Sequence, residues 1–380
     1  MKRSWFKLSL LGKLIFFVNF FFVFLLIISY LASFTGPDTL WPLAFAGLVY
    51  PILLGINIVI VLGWLIFRKI HFLVSLLTIL AGFSHVQNFF QWNELNRELP
   101  SGGTNIHLLS YNVRVFDLYS YGPSWEIDFT NRNNIFRYLQ AKDYDILCFQ
   151  EFVHDRSGEF KTLDTLPHIL RARHHHFEYT RSSRNKNFFG LATFSAYPIV
   201  NKGKILLETR YGNLCIYSDI AIGKDTLRVY NVHLESIGLS EEDFLFLENM
   251  SNIIQAPEKN ALTEGGRRIL GQLKTAFLLR APQARKIAEH METSPYPVIL
   301  AGDFNDTPAS YVYRALSKNL HDAFRSGRGI GQTYIGAIPG FRIDYILHSE
   351  EFTAYNFQTG TREYSDHYPI STVLNFQTKE

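Results

Sequence analysis

Cysteine is scarce in this sequence, and its spacing indicates no metal centre. The two copies, Cys148 and Cys215, belong to no Cys-x-x-Cys or Cys/His zinc pattern. Both lie in apolar, strand-like surroundings, which favours two small buried hydrophobic side chains. One disulfide between them stays open for a domain outside the cytoplasm, because spacing alone does not decide pairing.

Charge is also scarce in the first quarter of the chain. Residues 1–99 hold seven Lys or Arg and three Asp or Glu, and the remaining 30 basic and 31 acidic residues follow them. The net charge of +3 therefore comes from the N-terminal part. The rest lacks the positive excess that a bulk nucleic-acid binder carries.

Three long apolar segments occupy the charge-poor region, at residues 14–36, 41–67 and 70–92. The first two exceed the roughly 20 residues that a helix needs to cross a bilayer. A second apolar run so soon after the first argues against a cleaved signal peptide. The third segment turns polar from His85 onward, so it either spans or lies at the interface. We predict a bundle of about three transmembrane helices over residues 1–92.

The number of spans decides on which side of the membrane the rest of the chain lies. Basic residues precede the first segment, and Arg68-Lys69 separate the second from the third. Both positions should be cytoplasmic, because cytoplasmic loops are enriched in Lys and Arg. Three spans place the following domain outside the cytoplasm, and two place it inside. We expect an integral protein of the inner or plasma membrane with an extracytoplasmic domain.

Residues 93–105 are polar, contain Pro100 and Gly102-Gly103, and indicate a linker. From residue 106 to 380, short apolar runs alternate with helical patterns, which predicts one α/β domain. Strands are expected at 106–115, 145–149, 191–194, 215–222 and 227–232. Helices are expected at 133–140, 241–254 and 267–291, the last interrupted near Pro282.

The stretch VILAGDFNDTP at 298–308 has the pattern of a buried strand closed by polar residues. On extended backbone, residues i and i+2 point the same way, so Asp303 and Asn305 would share a face at the strand's exit. A carboxylate beside a carboxamide can hold a water or a metal ion. The alternative is an Asx-type turn after an ordinary strand.

Further polar clusters follow other apolar runs. Each has a structural explanation on its own, as a turn residue, a strand end or an ion-pair partner. Together they indicate one shared acidic pocket. The residues concerned are Asn112, Gln150-Glu151, Asn231, His233, Asp344 and Asp366-His367.

These motifs, in this order, resemble those of the endonuclease/exonuclease/phosphatase superfamily, which includes DNase I-like nucleases, neutral sphingomyelinases and inositol-polyphosphate 5-phosphatases. The resemblance covers roughly residues 104–376. It implies a four-layer α/β sandwich, in which two packed β-sheets are flanked by helices. It also implies hydrolysis of a phosphate ester with a divalent metal, usually Mg²⁺, with Mn²⁺ as the alternative. The segments that carry it are Asn112, Gln150-Glu151, Asn231-Val232-His233-Leu234, Gly302-Asp303-Phe304-Asn305, Arg342-Ile343-Asp344-Tyr345 and Ser365-Asp366-His367.

The resemblance also implies roles at the metal and the attacking water. Glu151 would bind the metal, with Asn112 and Asp366 close to it. Asp303 would orient or deprotonate the water, and Asn305 would help to hold it. Hard oxygen ligands of this kind suit Mg²⁺.

At the phosphate, the resemblance implies that His233 contacts the ester and protonates the leaving oxygen. Asp344 would orient His367, which binds or polarises the scissile phosphate. A carboxylate behind a histidine fixes the tautomer and supports the protonated form. Asn231 is a further candidate for substrate binding.

A basic, histidine-rich stretch at 171–186 lies outside these motifs. It is either a solvated loop or a rim for an anionic substrate. Arg181 and Arg184 are the candidate substrate-binding residues within it. The run His174-His175-His176 is expected on a solvated loop rather than in a metal site.

The resulting hypothesis is a membrane-anchored, metal-dependent phosphoesterase that hydrolyses a phosphodiester in the manner of a nuclease. A head-group phosphodiesterase acting on phospholipid or sphingomyelin and a phosphoinositide-type phosphatase are alternatives. A non-catalytic binding module of the same fold is an alternative from a different class. Expected partners are a nucleic acid or lipid head group as substrate and the membrane itself.

Overall fold

The computed structural model describes residues 8–94, 97–121, 125–156, 158, 160–183, 186–248, 259–336 and 340–377. The chain divides into two compact units, residues 1–90 with 307–314 and residues 91–306 with 315–380. The helices are α1 Leu10–Leu31, α2 Pro37–Leu40, α3 Pro42–Leu48, α4 Tyr50–Ile66, α5 Phe72–Ala81, α6 Phe83–Phe89, α7 Thr130–Gln140, α8 Thr162–Ile169, α9 Glu241–Glu248, α10 Lys259–Glu292 and α11 Tyr311–Ser317. The strands are β1 Gln91–Trp92, β2 Thr104–Asn112, β3 Ile146–Asp155, β4 His174–Ser183, β5 Asn187–Ser195, β6 Ile199–Ile205, β7 Leu214–Ile222, β8 Asp225–His233, β9 Val298–Asp303, β10 His321–Asp322, β11 Arg328–Gly329, β12 Asp344–His348, β13 Phe352–Thr359 and β14 Ile370–Phe376.

The N-terminal helices are apolar, but only α1 is long enough by itself to cross a membrane. The pairs α3–α4 and α5–α6 are bent by 58° and 71°, and each is long enough if it counts as one span. The predicted segment 41–67 is therefore broken rather than continuous. Pro51 stands at the start of α4, a position where proline is tolerated because its missing N–H has no helical partner.

A buried polar network joins α1, α4 and α5. Asn19 on α1 donates to the Ser75 hydroxyl on α5 at 2.6 Å, and that hydroxyl donates to Asn57 on α4 at 2.9 Å. Trp64 donates its indole N–H to Asn19 at 3.3 Å. Between apolar helices in apolar surroundings, burial of apolar surface contributes little to association, so hydrogen bonds of this kind help to hold the helices together.

Two six-stranded mixed sheets form the second unit, in the orders β10-β12-β9-β8-β7-β6 and β13-β14-β2-β3-β5-β4. The pairs β8–β9 and β2–β3 are parallel, and the other neighbours within these sheets are antiparallel. The short strands β1 and β11 form a separate antiparallel pair.

Side-chain alternation builds the layers. Leu108 and Cys148 point into the space between the sheets, where they meet Val229 and Ile299 of the opposite sheet. Their chain neighbours Leu109 and Leu147 point the other way and join Ile135 of α7 and Leu166 of α8. On the outer face of the other sheet, the Tyr230 hydroxyl lies 2.9 Å from Nδ1 of His290 on α10. The predicted four-layer α/β sandwich is confirmed.

Several predicted boundaries differ from the structure. The first strand ends at Asn112 rather than 115, because residues 114–117 all have positive φ and cannot continue a strand. Strand β3 extends six residues beyond the predicted end, to Asp155. The helix predicted at 241–254 is α9 over Glu241–Glu248, and residues 249–254 lie outside the described part of the chain.

The predicted break near Pro282 is wrong, because α10 continues through it to Glu292. Proline removes one helical hydrogen bond. Ala281, Ala284 and Ile287 around it are fully buried. Packing of this face stabilises the helix more than the missing bond destabilises it.

The histidine run is not on a loop. His174 begins β4, an edge strand paired with β5, and His176 is buried with its ring nitrogen 3.0 Å from the Ser218 hydroxyl. The loop prediction for this run is wrong, because all three residues belong to a paired strand; His174 is exposed, and His176 is buried against the opposite sheet. Cys148 and Cys215 are both free and fully buried, as small hydrophobic side chains.

Candidate active site

Polar side chains collect where the two parallel strand pairs end. Strand β2 ends at Asn112, which pairs with Gln150 of β3. Strand β8 ends at His233, which pairs with Asp303 at the end of β9. Asp344 begins the antiparallel strand β12 opposite Asp303. Since each parallel pair ends at one edge, these side chains come together between the two sheets.

The exit of β9 depends on a glycine. Gly302 has φ +143°, and a Cβ there would meet the carbonyl oxygen of Val232 at 2.0 Å. Beyond it the Asp303 carboxylate accepts the backbone N–H of Asn305 at 2.8 Å. Asn305 itself has φ +53° and donates its amide to the carbonyl of Leu234 at 3.0 Å. An Asx-type turn, rather than extended backbone, therefore places Asn305, and the i, i+2 argument does not apply to this pair.

A β-bulge aims Glu151. Between Phe149 and Phe152 the pairing of β3 with β5 shifts by one residue, and Glu151 adopts φ +49°. Bulges re-aim side chains and recur next to active sites. Positive φ is strained for a glutamate and persists where the surrounding structure holds it. The Glu151 side chain remains 37% exposed, which leaves room for water or a ligand beside it.

The amide of Asn112 is oriented by its own turn. Its Oδ1 accepts the backbone N–H of Arg114 at 3.1 Å, in a segment of four successive residues with positive φ. Its Nδ2 thereby faces Glu151 Oε1 at 3.3 Å and Asp303 Oδ2 at 3.1 Å. The ends of β2 and β9 and the bulge of β3 thus meet at one carboxamide.

Asp303 lies at the centre of the cluster. Its Oδ2 is 3.6 Å from Nε2 of His233 and 3.7 Å from Nε2 of His367. His233 Nε2 also lies 3.9 Å from Glu151 Oε1. This buried nitrogen has no hydrogen-bond partner among the described residues, so it is available to an oxygen of a bound group.

His367 and Asp344 form a buried pair, with Nδ1 and Oδ2 2.9 Å apart. Burial disfavours the imidazolium, but Asp344 and Asp303 outweigh it and raise the pKa of His367 to about 10. Burial, reinforced by Asp344, raises the pKa of Asp303, while His367 and His233 oppose that rise. A cationic His367 beside a carboxylate of raised pKa is the arrangement expected of an acid–base site.

Asp366 lies at the corner of the site next to Asn112. Its Oδ1 accepts the Ser365 hydroxyl at 3.2 Å, and Ser365 also approaches the Asn112 carbonyl at 2.9 Å. Its Oδ2 is 3.8 Å from Nε of Arg114. Its side chain is 32% exposed, so Asp366 can still reach a ligand.

Asn231 lies beneath the site and is fully buried. Its Oδ1 accepts the amide of Gln150 at 2.8 Å, which links the two sheets. Its Nδ2 lies within 3.3 Å of three acceptors on the opposite sheet, Phe149 O, Ala192 O and Thr193 Oγ1. Hydrogen bonds within the protein occupy the side chain, so the geometry favours a supporting role over the substrate contact expected from the sequence.

Arg181 lines a cleft of about 250 Å³ that Glu151 and His233 also line. Its guanidinium carbon lies 5.1 Å from the centre of the Phe189 ring. Arg184, the second predicted substrate contact of this stretch, lies outside the described residues.

The donor set fits a hard divalent cation. Glu151 and Asp303 bring carboxylate oxygens to the amide nitrogen of Asn112, and Asp366 lies at the same corner. A second group of possible ligands, Asp303, Asp344 and His367, has its atoms within 4.8 Å of one another. Asp344 and His367 are hydrogen-bonded to each other, and Mg²⁺ prefers oxygen. The oxygen set beside Glu151 is therefore the better fit.

Sequence reasoning missed the groups behind the site. Arg280 on α10 is fully buried, donates its Nε to the carbonyl of Glu235 at 2.7 Å, and lies 3.2 Å from Asp306. Gln283, one turn further, accepts the Glu235 N–H at 3.0 Å. The available signal was an arginine and a glutamine at i, i+3 on the same helix face as buried alanines.

Together the fold and the site define the class: a phosphoesterase hydrolase. A family model described as "Endonuclease/Exonuclease/phosphatase family" matches residues 109–367, and the chain belongs to this family. A second model, described as a domain of unknown function, matches residues 12–89. No curated protein matches the chain.

The chain is similar to several solved structures at low sequence identity. An endonuclease/exonuclease/phosphatase from Beutenbergia cavernae is 16% identical with a TM-score of 0.48, over 72% of each chain. A mannosyl-6-phosphatase from Bacteroides thetaiotaomicron is 18% identical with a TM-score of 0.44, over 71% of this chain and all of that one. A humanized D. rerio TDP2 is 15% identical with a TM-score of 0.49, over 71% of this chain and 99% of that one.

Proposed function

We propose that this chain is a divalent-metal-dependent phosphodiesterase held in a membrane by its N-terminal helices. The observation that carries the proposal is the position of Asp303. Its Oδ2 lies 3.1 Å from Asn112, 3.6 Å from His233 and 3.7 Å from His367. One carboxylate thus adjoins, on one side, the Asn112 amide that also contacts Glu151, and on the other side two imidazoles.

Glu151 would hold the ion, Mg²⁺ or alternatively Mn²⁺, with Asn112 and Asp366 close to it. When bound, such an ion neutralises charge on phosphate oxygens and helps to orient the ester. The exposed fraction of the Glu151 side chain, 37%, fits a cation that keeps several waters.

Asp303 would orient the attacking water and take its proton. Its raised pKa makes the carboxylate a better proton acceptor than an ordinary aspartate. Asn305 would hold the same water from the turn that follows, where its backbone N–H is fixed to the Asp303 carboxylate.

The two histidines would act on the phosphate. His367, kept cationic by Asp344, would bind a non-bridging oxygen where charge develops. His233, whose Nε2 is buried without a hydrogen-bond partner among the described residues, would donate to the leaving oxygen.

The membrane part of the proposal rests on the apolar helices and their shared network. The first, second and third apolar segments contribute Asn19, Asn57 and Ser75 to it, respectively. This supports counting each bent pair as one span and hence three spans in all. With Arg68-Lys69 cytoplasmic, three spans place the phosphodiesterase outside the cytoplasm.

The substrate is either a nucleic acid or a phosphorylated lipid head group. Our preferred hypothesis is a nuclease-like phosphodiester reaction. A head-group phosphodiesterase or a phosphoinositide-type phosphatase is the alternative. The motifs alone do not favour a lipid substrate. The membrane anchor and the lack of excess positive charge after residue 99 add support for the lipid alternative.

A substrate panel tests the proposal. Full-length protein in detergent is assayed with bis(4-nitrophenyl) phosphate, 4-nitrophenyl phosphate, DNA, sphingomyelin and phosphoinositides, with Mg²⁺, Mn²⁺ or a chelator. We expect hydrolysis of at least one diester that the chelator abolishes and added metal restores. A protein that binds neither metal and hydrolyses no ester would instead support the non-catalytic binding module.

A further inference from the structure

The cleft beside the candidate active site extends beyond the groups assigned to catalysis. It is lined by Glu151 and His233, which belong to the site, and by Arg181 and Tyr211, which do not. A phosphate ester seated at Asp303 therefore has neighbouring space, of about 250 Å³, for one of its substituents.

Two β-bulges face this cleft from either side of the same strand. Gly190 of β5 pairs with Phe152 of β3 and with Tyr179 of β4. The register of β3 shifts just before Phe152, and the register of β4 shifts just after Tyr179. The bulges bring Glu151 and Arg181 to the cleft from the two neighbours of one strand. Their backbones are two strand spacings apart, on the order of 10 Å.

Gly190 makes this arrangement possible. A Cβ at this position would meet the carbonyl oxygen of Glu178 at 1.9 Å. A larger residue would push β4 away and carry Arg181 with it. The backbone at this point thus sets the distance between the arginine and the site.

The walls of the cleft are held in place before any ligand binds. The Thr209 hydroxyl oxygen accepts backbone N–H groups from Tyr211, Gly212 and Asn213 at 3.0–3.2 Å. Thr180, the bulged residue of β4, donates to the carbonyl of Gly212 at 2.6 Å. The loop that carries Tyr211 is therefore fixed to the strand that carries Arg181.

The cleft carries two opposite charges, and only one of them is assigned to the candidate active site. Among its described lining residues it has one carboxylate, Glu151, and one guanidinium, Arg181. The carboxylate is used at the site, where it would meet a cation. Arg181, stacked on Phe189, is left to meet an anion, and a guanidinium suits a phosphate because it offers paired donors.

We infer that this cleft binds a second phosphate group of the substrate through Arg181. The preferred substrate is then a phosphodiester in which one of the two esterified alcohols carries a phosphomonoester. This second phosphate lies within about 10 Å of the scissile phosphate. This inference rests on the proposed function. The same chemistry occurs in a nucleotide with a terminal phosphate and in a phosphorylated inositol head group.

Paired substrates test it on full-length protein in detergent. The nucleotide pair is the 4-nitrophenyl ester of thymidine 5′-phosphate, with and without a 3′-phosphate. The inositol pair is glycerophosphoinositol, with and without a 4-phosphate. The arm in which the phosphorylated member has the lower KM identifies the source of the second phosphate.

Arg156 provides a matched control for Arg181. Phe188 and Phe189 are consecutive on β5 and point to opposite faces, and Arg156 lies 4.4 Å from the Phe188 ring as Arg181 lies 5.1 Å from the Phe189 ring. Arg156 is exposed like Arg181 but does not line the cleft.

We expect Arg181→Ala to reduce the preference for the phosphorylated member about tenfold, through KM, as loss of one charge-assisted contact predicts. Arg181→Lys should retain part of the preference, and Arg156→Ala all of it. Equal preference in Arg181→Ala and wild type, or no preference in either pair, overturns the inference.

A binding measurement separates this inference from the proposed function, because it needs no turnover. Calorimetry with thymidine 3′,5′-bisphosphate and thymidine 5′-phosphate, and with inositol 1,4-bisphosphate and inositol 1-phosphate, should show an Arg181-dependent difference of about tenfold in Kd for at least one pair. If this difference is measured in a protein that hydrolyses no ester, the inference about the cleft is supported and the proposed phosphodiesterase activity is refuted. If the protein hydrolyses an ester but shows no such difference in Kd, the proposed activity is supported and the inference about the cleft is refuted.

Discussion

Arg280 Nη1 lies 3.2 Å from Asp306 Oδ2, with both side chains almost wholly buried. Asp306 follows the turn of Asp303, and the other contact of Arg280, the Glu235 carbonyl, follows His233. One guanidinium thereby links the segment that carries Asp303 to the segment that carries His233.

Arg280→Met should lower both stability and activity. Removing one partner of a buried ion pair costs about 3 kcal/mol or more. Displacement of both segments should lower kcat more than it raises KM, because the groups disturbed would act on the reacting atoms. Denaturant unfolding and steady-state kinetics check both effects. Arg280→Lys should recover kcat in part; a purely structural arginine would instead give a variant that loses stability at unchanged kcat.

Asp344→Asn should change the alkaline limb of the pH profile. In the wild type the imidazolium of His367 persists up to a pKa of about 10, so kcat/KM should fall only as the pH rises through that value. Without the Asp344 charge the pKa falls, and the limb moves toward neutral pH. A limb that stays near pH 10 in the variant would contradict the role given to this pair.

The same pKa shift contributes to stability. His367 has a higher pKa in the folded than in the unfolded chain, so its contribution is complete below about pH 6.5 and is lost as the pH rises toward 10. We expect the difference in unfolding free energy between wild type and His367→Gln to be larger at pH 6 than at pH 10. Urea titrations at the two pH values measure it, and a difference independent of pH would argue against a charged His367.

Glu151→Gln should weaken metal binding. A carboxamide keeps the size of the side chain but removes the charge that attracts a divalent cation. Mn²⁺ titration followed by electron paramagnetic resonance should show a Kd raised at least about tenfold, since a metal ligand is lost. Glu178→Gln is the control, because Glu178 lies on strand β4, two strands from β3, and pairs at the surface with Lys204. Equal Mn²⁺ affinity in both variants would remove Glu151 from the site.

The three-span proposal predicts where the C-terminus lies. Alkaline phosphatase fused there should be active, and a fluorescent protein that folds only in the cytoplasm should be dark. Asn57→Leu should loosen the helices without changing this orientation, because it removes a network bond but no basic residue. A reporter active only in the cytoplasm would indicate two spans.

Local patterns in the sequence predicted an α/β domain and most of the site, and the family resemblance implied the four layers. Short apolar runs ending in polar residues identified β2, β3, β8 and β9 as strands. Polar residues at their ends identified Asn112, Glu151, His233 and Asp303, which the structure brings together. Asp344 and His367, distant in sequence, were matched through the family motifs and do form a hydrogen-bonded pair.

The remainder depended on partners that sequence reasoning does not supply. Glu151 reaches the site through a bulge, and a bulge is defined by the register of the neighbouring strand. Asn231 carries the same motif signal as His233, yet the opposite sheet covers it entirely. Arg280 forms an ion pair with Asp306, 26 residues later in the sequence, and only the orientation of α10 reveals that contact.

The central claim is that Asp303 activates water in a single metal-assisted site, and hydrolysis of bis(4-nitrophenyl) phosphate by Asp303→Asn tests it most directly. The substitution is nearly isosteric and removes a buried carboxylate whose ionisation burial disfavours, so the variant should keep its unfolding midpoint. We predict that kcat in Mg²⁺ falls at least about 100-fold, as loss of a general base requires. A folded variant that hydrolyses the ester at the wild-type rate would contradict the account.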